Sequence, residues 1–346
     1  MKLDRTTVII AAVTIVLLVA GPLLPAWMMS LIKISLCYGI VVLGMLVLMR
    51  TGLVSFGHGL YYCLGAYATA AHDKLANALA ELGEASSSLA VRNVMQLPKM
   101  LVDALTGVFG PYDIAVMLGF SVVVTGLTAW ILGFLLRKYR EIFFAMLSLA
   151  FSMILYGSLV KSSALGSTDG FNIAAKGLFG ATLADNSLRQ AIFVTIVVVT
   201  MLSALLINFY LRTHRGRLAE AIRDNELRVE YMGASVRRTI HINYIISAVL
   251  AGLGGALMAI NIGHIDPEMA YWTTSGEFVF IAILAGTGSV LAPFLGALIF
   301  ETIRSFAYEY SPNTWQMALG ITMLLVILFL PGGLWSLFQK MRRKAA

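Results

Sequence analysis

The sequence predicts an all-α fold, a polytopic transmembrane helical bundle of about ten spans that include broken or re-entrant segments. Three observations predict it. Apolar residues fill 59% of the 346 positions and charged residues only 12%, whereas a soluble domain carries about 25% charged residues. The mean hydropathy is +0.85. The apolar residues fall in runs of roughly 20, the length a helix needs to cross about 30 Å of hydrocarbon, with the basic residues gathered between them.

Taken in order, the candidate spans are 7–29, 31–49, 55–72, 114–136, 141–160, 188–211, 239–263, 275–291, 293–309 and 315–335. The start, Met1 to Arg5 followed by an apolar run, resembles a signal peptide. Its apolar stretch is long and has no clear small-residue cleavage site, so it is read as a retained first span. Segments 55–72 and 275–291 are rich in glycine, and a break in either is tolerated only inside protein or beside a water-filled path. No long polar stretch marks a boundary, so residues 1–346 read as one membrane domain. Cys37 and Cys63 both lie in apolar runs and read as buried, unpaired thiols. The small residues Ser247, Ala251, Gly255 and Ala259 recur every four positions, as a close helix contact in lipid requires. The glycine-rich stretches 52–59 and 286–289 stand as a possible echo between two halves.

Charge sets the expected orientation. Lys2, Arg5, Arg50, Arg137, Lys138, Arg140, the arginines of 212–238 and the terminal Lys340–Lys344 group share one side if both termini are cytoplasmic. The net charge of +7 then belongs to topology rather than to nucleic-acid binding. Three polar segments interrupt the spans: an external insertion at 73–113, an external loop at 161–187 and a cytoplasmic segment at 212–238. The last mixes Leu218, Ala221, Ile222, Leu227, Val229 and Met232 with Arg, Glu and Asp and ends on Gly233, which reads as a short amphipathic helix with a glycine stop. By periodicity alone it reads equally as a solvated, topology-setting loop.

The sequence has no Gly-x-x-x-x-Gly-Lys-Ser/Thr loop, no His-Glu-x-x-His, no paired cysteine ligands and no Gly-x-Ser-x-Gly. A catalytic or metal role is therefore not expected, and any ATP would be hydrolysed by another chain. Ionisable residues within the spans are few: Glu141, Glu277, Glu301 and Arg304. Glu301 and Arg304 stand three apart and can pair on one helix face, either structurally or in a proton relay.

Five blocks in order give a family resemblance over roughly residues 31–335. They are Thr51 to Gly59 with Gly65-Ala66-Tyr67; Phe144 to Phe151; Gly216-Arg217 with Ala219 to Arg223 and Met232-Gly233; Ala285 to Ser289 with Pro293 and Gly296-Ala297; and Pro331 to Leu334. Together they resemble the branched-chain amino-acid permeases of bacterial ABC importers, in particular the LivM-type subunit. The resemblance implies a bacterial inner-membrane protein that forms half of a translocation path. Its implied partners are two P-loop ATPase subunits, a second homologous permease, a periplasmic solute-binding protein and membrane lipid. No cofactor is implied on this chain; ATP and Mg²⁺ belong to the ATPase.

Residue by residue, the resemblance makes Arg217, Glu220, Ala221, Arg223, Asp224 and Gly233 the ATPase-coupling set. Ser55, His58, Gly59, Ser148, Gly286, Gly288 and Ser289 become candidates for the translocation path. Packing or turn roles compete for the glycines, and an inter-helix hydrogen bond competes for His58. Asp169 and Gly170 belong to the external loop, where Leu165 and Ser167 replace the Thr and Gly of the family's Thr-Gly-Gly-x-Asp-Gly. The same machine with another cargo, such as urea, an aromatic carboxylate or a sugar, is the alternative within the class. An ion-coupled secondary transporter is the alternative outside it.

Overall fold

The computed structural model describes residues 5–21, 24–69, 113–162, 165–173, 177–178, 181–183, 185–310, 312–329 and 332–336. The insertion expected at 73–113 lies outside the described residues except for Asp113. Among the described residues, ten helices occupy the ten expected span positions, and five of them are long and apolar enough to cross a membrane by length and composition.

The first helix, α1, runs Arg5–Ala20 and α2 runs Ala26–Met49. The expected span 7–29 is therefore cut short. The physical reason is proline: Pro25 has no amide proton to donate within a helix, and it stands as the N-cap of α2. After Arg50 the chain leaves helical geometry and re-enters it at 58, giving α3 over 58–69. Next come α4 (Ile114–Leu136), capped by the Asp113 carboxylate at the Ala115 amide, and α5 (Glu141–Lys161). Helix α6 (Asp185–Arg212) leads into α7 (His214–Asp224) and α8 (Glu226–Tyr231), and α9 (Val236–Ile262) returns through the bundle. A short 3₁₀ turn at Pro267–Ala270 precedes α10 (Trp272–Ala285), followed by α11 (Ala292–Tyr310) and α12 (Trp315–Phe329).

Two small antiparallel ladders lie at the end of the bundle away from α7 and α8. Strands β1 (Phe171–Asn172) and β4 (His264–Ile265) pair in the register Phe171 to Ile265 and Asn172 to His264. Strands β2 (Gly177–Leu178) and β3 (Ala181–Thr182) form the other ladder.

Burial separates the core from the rim. In the most apolar stretch of α2, 78% of residues are buried, against 22% for α5. A helix apolar all round and buried all round belongs in the middle of a bundle. Helix α2 packs on α9 and α11, while α4 and α5 lie outside with Trp130, Ile131, Ile142, Phe143 and Met146 exposed. Helix α9 touches its neighbours backbone to backbone. A Cβ on Gly65 would strike the Gly252 carbonyl, and one on Gly255 would strike the Tyr62 carbonyl. The expected stripe on α9 is thus a packing seam: Ser247, Ala251, Gly255 and Ala259 are all buried. Cys37 and Cys63 are buried free thiols in the same core.

Replacing Gly65 or Gly255 by valine should push α3 from α9 and cost about 3 kcal/mol. The check is the melting midpoint of the purified protein in mild detergent, with Gly157→Val, at a site open to its surroundings, expected to melt like the parent.

Candidate functional site

The residues with chemistry gather at two levels, one inside the bundle and one at its α7–α8 end. Inside, after the turn in which the Thr51 and Gly52 amides donate to the Leu48 and Met49 carbonyls, residues 53–57 are not helical, yet Thr51, Leu53 and Ser55 are buried. Serine side chains substitute for the missing helix. The Gly57 amide donates to Ser55 Oγ at 3.2 Å, and the Gly59 amide donates to Ser275 Oγ at 3.0 Å. Ser152 on α5 donates to the Ala270 carbonyl at 2.7 Å, closing the 3₁₀ turn before α10. His58 Nε2 shares a 2.6 Å hydrogen bond with Ser247 Oγ on α9. So α3 and α10 both begin deep in the bundle, and their first turns meet.

The path candidates fall around this crossing. Ser55, His58, Gly59 and Ser148 are buried, and Ser148 donates to the Ala145 carbonyl at 2.8 Å. Gly57 lies against the Ser148 carbonyl. Gly286 packs on Gly332 and Gly333 of the closing turn, and Gly288 is exposed beside half-buried Ser289. Ser289 Oγ accepts from the Leu291 amide at 3.3 Å.

At the α7–α8 end the sequence anticipates one amphipathic helix, whereas the structure has two. Asn225 breaks them: its backbone is extended, and its side chain accepts from the Arg228 amide as the cap of α8. Thr213 caps α7 by accepting from the Gly216 amide, and Ser235 caps α9 by accepting from the Arg238 amide. Gly233, at φ 82°, is the expected stop. Ala219, Ile222 and Val229 turn inward and are buried, while Arg217, Glu220, Arg223 and Asp224 face out. Ala221 is half-buried.

Two ion pairs fasten this pair of helices to the spans. Arg50, at the end of α2, holds Glu220 at 2.7 Å, and Arg140, between α4 and α5, holds Glu226 at 2.6 Å. Arg50 also reaches the Thr287 carbonyl at 3.5 Å, so α2, α7 and the turn after α10 meet at one guanidinium. Burial lowers the Arg50 pKa from its usual value while the Glu220 carboxylate opposes the shift. A guanidinium stays charged throughout the physiological range. The Arg223 side chain lies against Gly52, and the Arg217 guanidinium donates to the Arg212 carbonyl. Sequence reasoning missed the pairing roles of Arg50 and Arg140. The available signal was one arginine closing an apolar run directly before the glycine block at 51–59.

The external residues form a tight turn. Asp169 accepts from Thr168 Oγ1 at 3.2 Å, and a Cβ on Gly170 would strike the Ile265 carbonyl. Ser167 holds φ 51°, a conformation that suits glycine, the residue the family pattern places there. Its hydroxyl donates to the Val160 carbonyl at 2.8 Å, which offsets part of the strain.

Residues 27–328 match the family described as "Branched-chain amino acid transport system / permease component". The chain belongs to this family. Relatives agree with that membership. Over 143 residues, 41% of this chain and 33% of the relative, it is 32% identical to the high-affinity branched-chain amino acid transport system permease protein LivM of Escherichia coli K12. With LivM of Salmonella typhimurium the identity is 27% over 234 residues, 61% of this chain and 55% of the relative. With the permease protein LivH of E. coli K12 it is 26% over 139 residues, 40% of this chain and 45% of the relative. The chain spans between a third and just over half the length of these relatives. No solved structure matches.

In this family member, Arg50→Ala should cost more stability than Glu220→Ala, because the Arg50 side chain is 16% exposed and that of Glu220 is 57% exposed. A double-mutant cycle on the pair should return a coupling of about 1 kcal/mol. Denaturation of the four proteins in detergent measures it.

Proposed function

We propose that this chain is a permease subunit of an ATP-driven importer of branched-chain or related amino acids, multi-pass in the bacterial inner membrane with both termini cytoplasmic. A second homologous permease completes the solute path, and a periplasmic binding protein delivers solute at the end that carries the external loop 161–187. Two P-loop ATPase subunits, which hold ATP and Mg²⁺, dock at α7 and α8.

The single observation that carries this reading is the construction of α7–α8. The pair buries Ala219, Ile222 and Val229 against the bundle and is pinned by two ion pairs to the ends of different spans. It nevertheless leaves Leu227, Tyr231 and Met232 at 65%, 90% and 66% exposed. A loop that only connects spans has no need of capped helices or of an outward aromatic and aliphatic patch. An element that receives force from another protein needs both, a surface to be gripped and rigid links inward. Arg140 carries the displacement to the α4–α5 turn, and Arg50 carries it to α2, just beyond whose end Gly52 lies against Arg223.

A second cargo reading has its own support. Over 133 residues the chain is 31% identical to the autoinducer 2 import system permease protein LsrC of an Enterobacter strain. That relative's name gives a different cargo, so the same machine with another small solute stands as the alternative.

The test separates docking from folding. Tyr231→Asp and Leu227→Asp should melt within about 0.5 kcal/mol of the parent, as exposed substitutions do. They should lose the co-purifying ATPase and ATP-dependent leucine uptake in proteoliposomes. Uptake that persists without ATP hydrolysis, driven by an ion gradient, would overturn the importer reading in favour of a secondary transporter.

A further inference from the structure

The charges within the spans form a cluster of their own. Glu277 on α10 lies 3.3 Å from Arg304 on α11, and Glu301, one turn before Arg304, lies 3.9 Å from it. Arg304 also donates to the Tyr38 hydroxyl at 3.1 Å, near the middle of α2, and its guanidinium stands over the Trp315 ring at 5.4 Å. The pairing expected within α11 is present, but the nearer carboxylate comes from another helix.

The cluster does not balance. Two carboxylates face one guanidinium, and its approaches to Glu277, Glu301 and Tyr38 all converge on Nη1. Glu301 Oε2 is buried and accepts no hydrogen bond, its 3.9 Å approach to Arg304 being too long for one. In a low-dielectric setting an extra carboxylate needs a cation or a proton, and a bound cation is what a ligand can supply. Nor is the cluster sealed. The side chains of Arg304 and Glu277 are 31% and 21% exposed. On the same outward stripe of α10 stand exposed Trp272 and Thr273 and Gly276, which has open space at its missing Cβ. Partly exposed charges within the spans do not face hydrocarbon; they face water, a ligand or the chain that covers this face.

We infer that Arg304, Glu277 and Glu301 form a subsite for the charged head of a zwitterionic solute. The guanidinium takes the carboxylate, and the two glutamates take the ammonium that their excess charge calls for. Tyr38 holds the guanidinium from the core side, and Trp315 covers its other face. Because an incoming zwitterion brings one charge of each sign, the cluster keeps its overall charge and gains the missing partner for Glu301. Delivery and release then exchange one ion pair for another rather than exposing a bare charge. This rests on the amino-acid reading above and names the part of the chain that meets the solute.

The experiment uses the complex as it purifies, in lipid nanodiscs, and reads Trp315 fluorescence, with Trp315→Phe as the blank. The probes are leucine, isocaproate, which lacks the ammonium, and isopentylamine, which lacks the carboxylate. Leucine should change the Trp315 signal, and Glu301→Gln or Glu277→Gln should weaken leucine and isopentylamine by at least about tenfold while leaving isocaproate within about threefold. Arg304→Lys, which keeps the charge but not the fork, should weaken leucine and isocaproate instead. A silent Trp315 with both leucine and isopentylamine, or glutamine variants that bind all three probes like the parent, would overturn the inference. Failure of the parent complex to take up leucine, with the isopentylamine response still lost in Glu301→Gln, would overturn the amino-acid reading and leave the ammonium subsite standing.

Discussion

In hydrocarbon a backbone amide that leaves a helix has no water to turn to, and much of this structure follows from how that demand is met at residues 51–59. The chain stops being helical after Arg50 and restarts at His58, well inside the bundle. Serines from four places supply what the helix would have: Ser55 for Gly57, Ser275 for Gly59, Ser152 for Ala270, and Ser247 for His58. Three of these bonds join separate elements and require them to stand close, and glycine at 57, 59, 65, 252 and 255 lets them. The break and the tight packing are thus one feature seen twice. Widening the α3–α9 contact would strand polar groups as well as open a void.

The same crossing defines what moves with what. Helix α2 ends in Arg50, whose guanidinium meets α7 and the turn after α10, while the loop just beyond it lies against Arg223. From there the broken segment runs to the α3–α10 crossing, and α10 carries Glu277 to the intramembrane cluster. A displacement of α7 has a continuous packed route to the first turn of α10, with no loose loop in between. The α4–α5 side has its own link through Arg140 and Glu226, and these two are the least buried of the five long apolar helices.

Much of this was legible in the sequence. Apolar run lengths marked the positions and order of the helices at the ten span positions, and of the two glycine-rich segments, 55–72 starts with the chain still out of helix and 275–291 loses its helix at Ala285. Gly233 marked the end of α8. Other features were not legible, for physical reasons. Two prolines and a glycine within residues 21–25 cut an apolar run that hydropathy reads as continuous. Asn225 looks like one polar residue among many until its extended backbone and cap show it splitting α7 from α8. The serines that reach the broken segment from other helices lie far off in numbering, 189 positions for the His58–Ser247 pair and 216 for Gly59 and Ser275, and local pattern carries no trace of such pairings. Ser167 is intermediate. The departure from the family's glycine was visible, but that it sits in a left-handed turn and holds Val160 required the fold.

The distribution of polar groups bears on where a solute travels. Between α2, α3 and α9 several buried groups bond to one another, as in the Tyr61–Tyr244 and His58–Ser247 pairs, while the buried Tyr67 hydroxyl has no partner among the described residues. Opening a path there would break several satisfied hydrogen bonds at once, each leaving a buried group whose desolvation costs about 1–3 kcal/mol. On the outward stripe of α10 the situation is reversed: charge is in excess, exposure is partial and small residues leave room. If the chain works as proposed, solute therefore moves along its face and not through its middle, and the wall opposite α10 must be supplied by another chain. A permease built this way keeps its interior dry and rigid enough to transmit force from α7, and it confines the hydrated chemistry to a surface that a partner can cover and uncover.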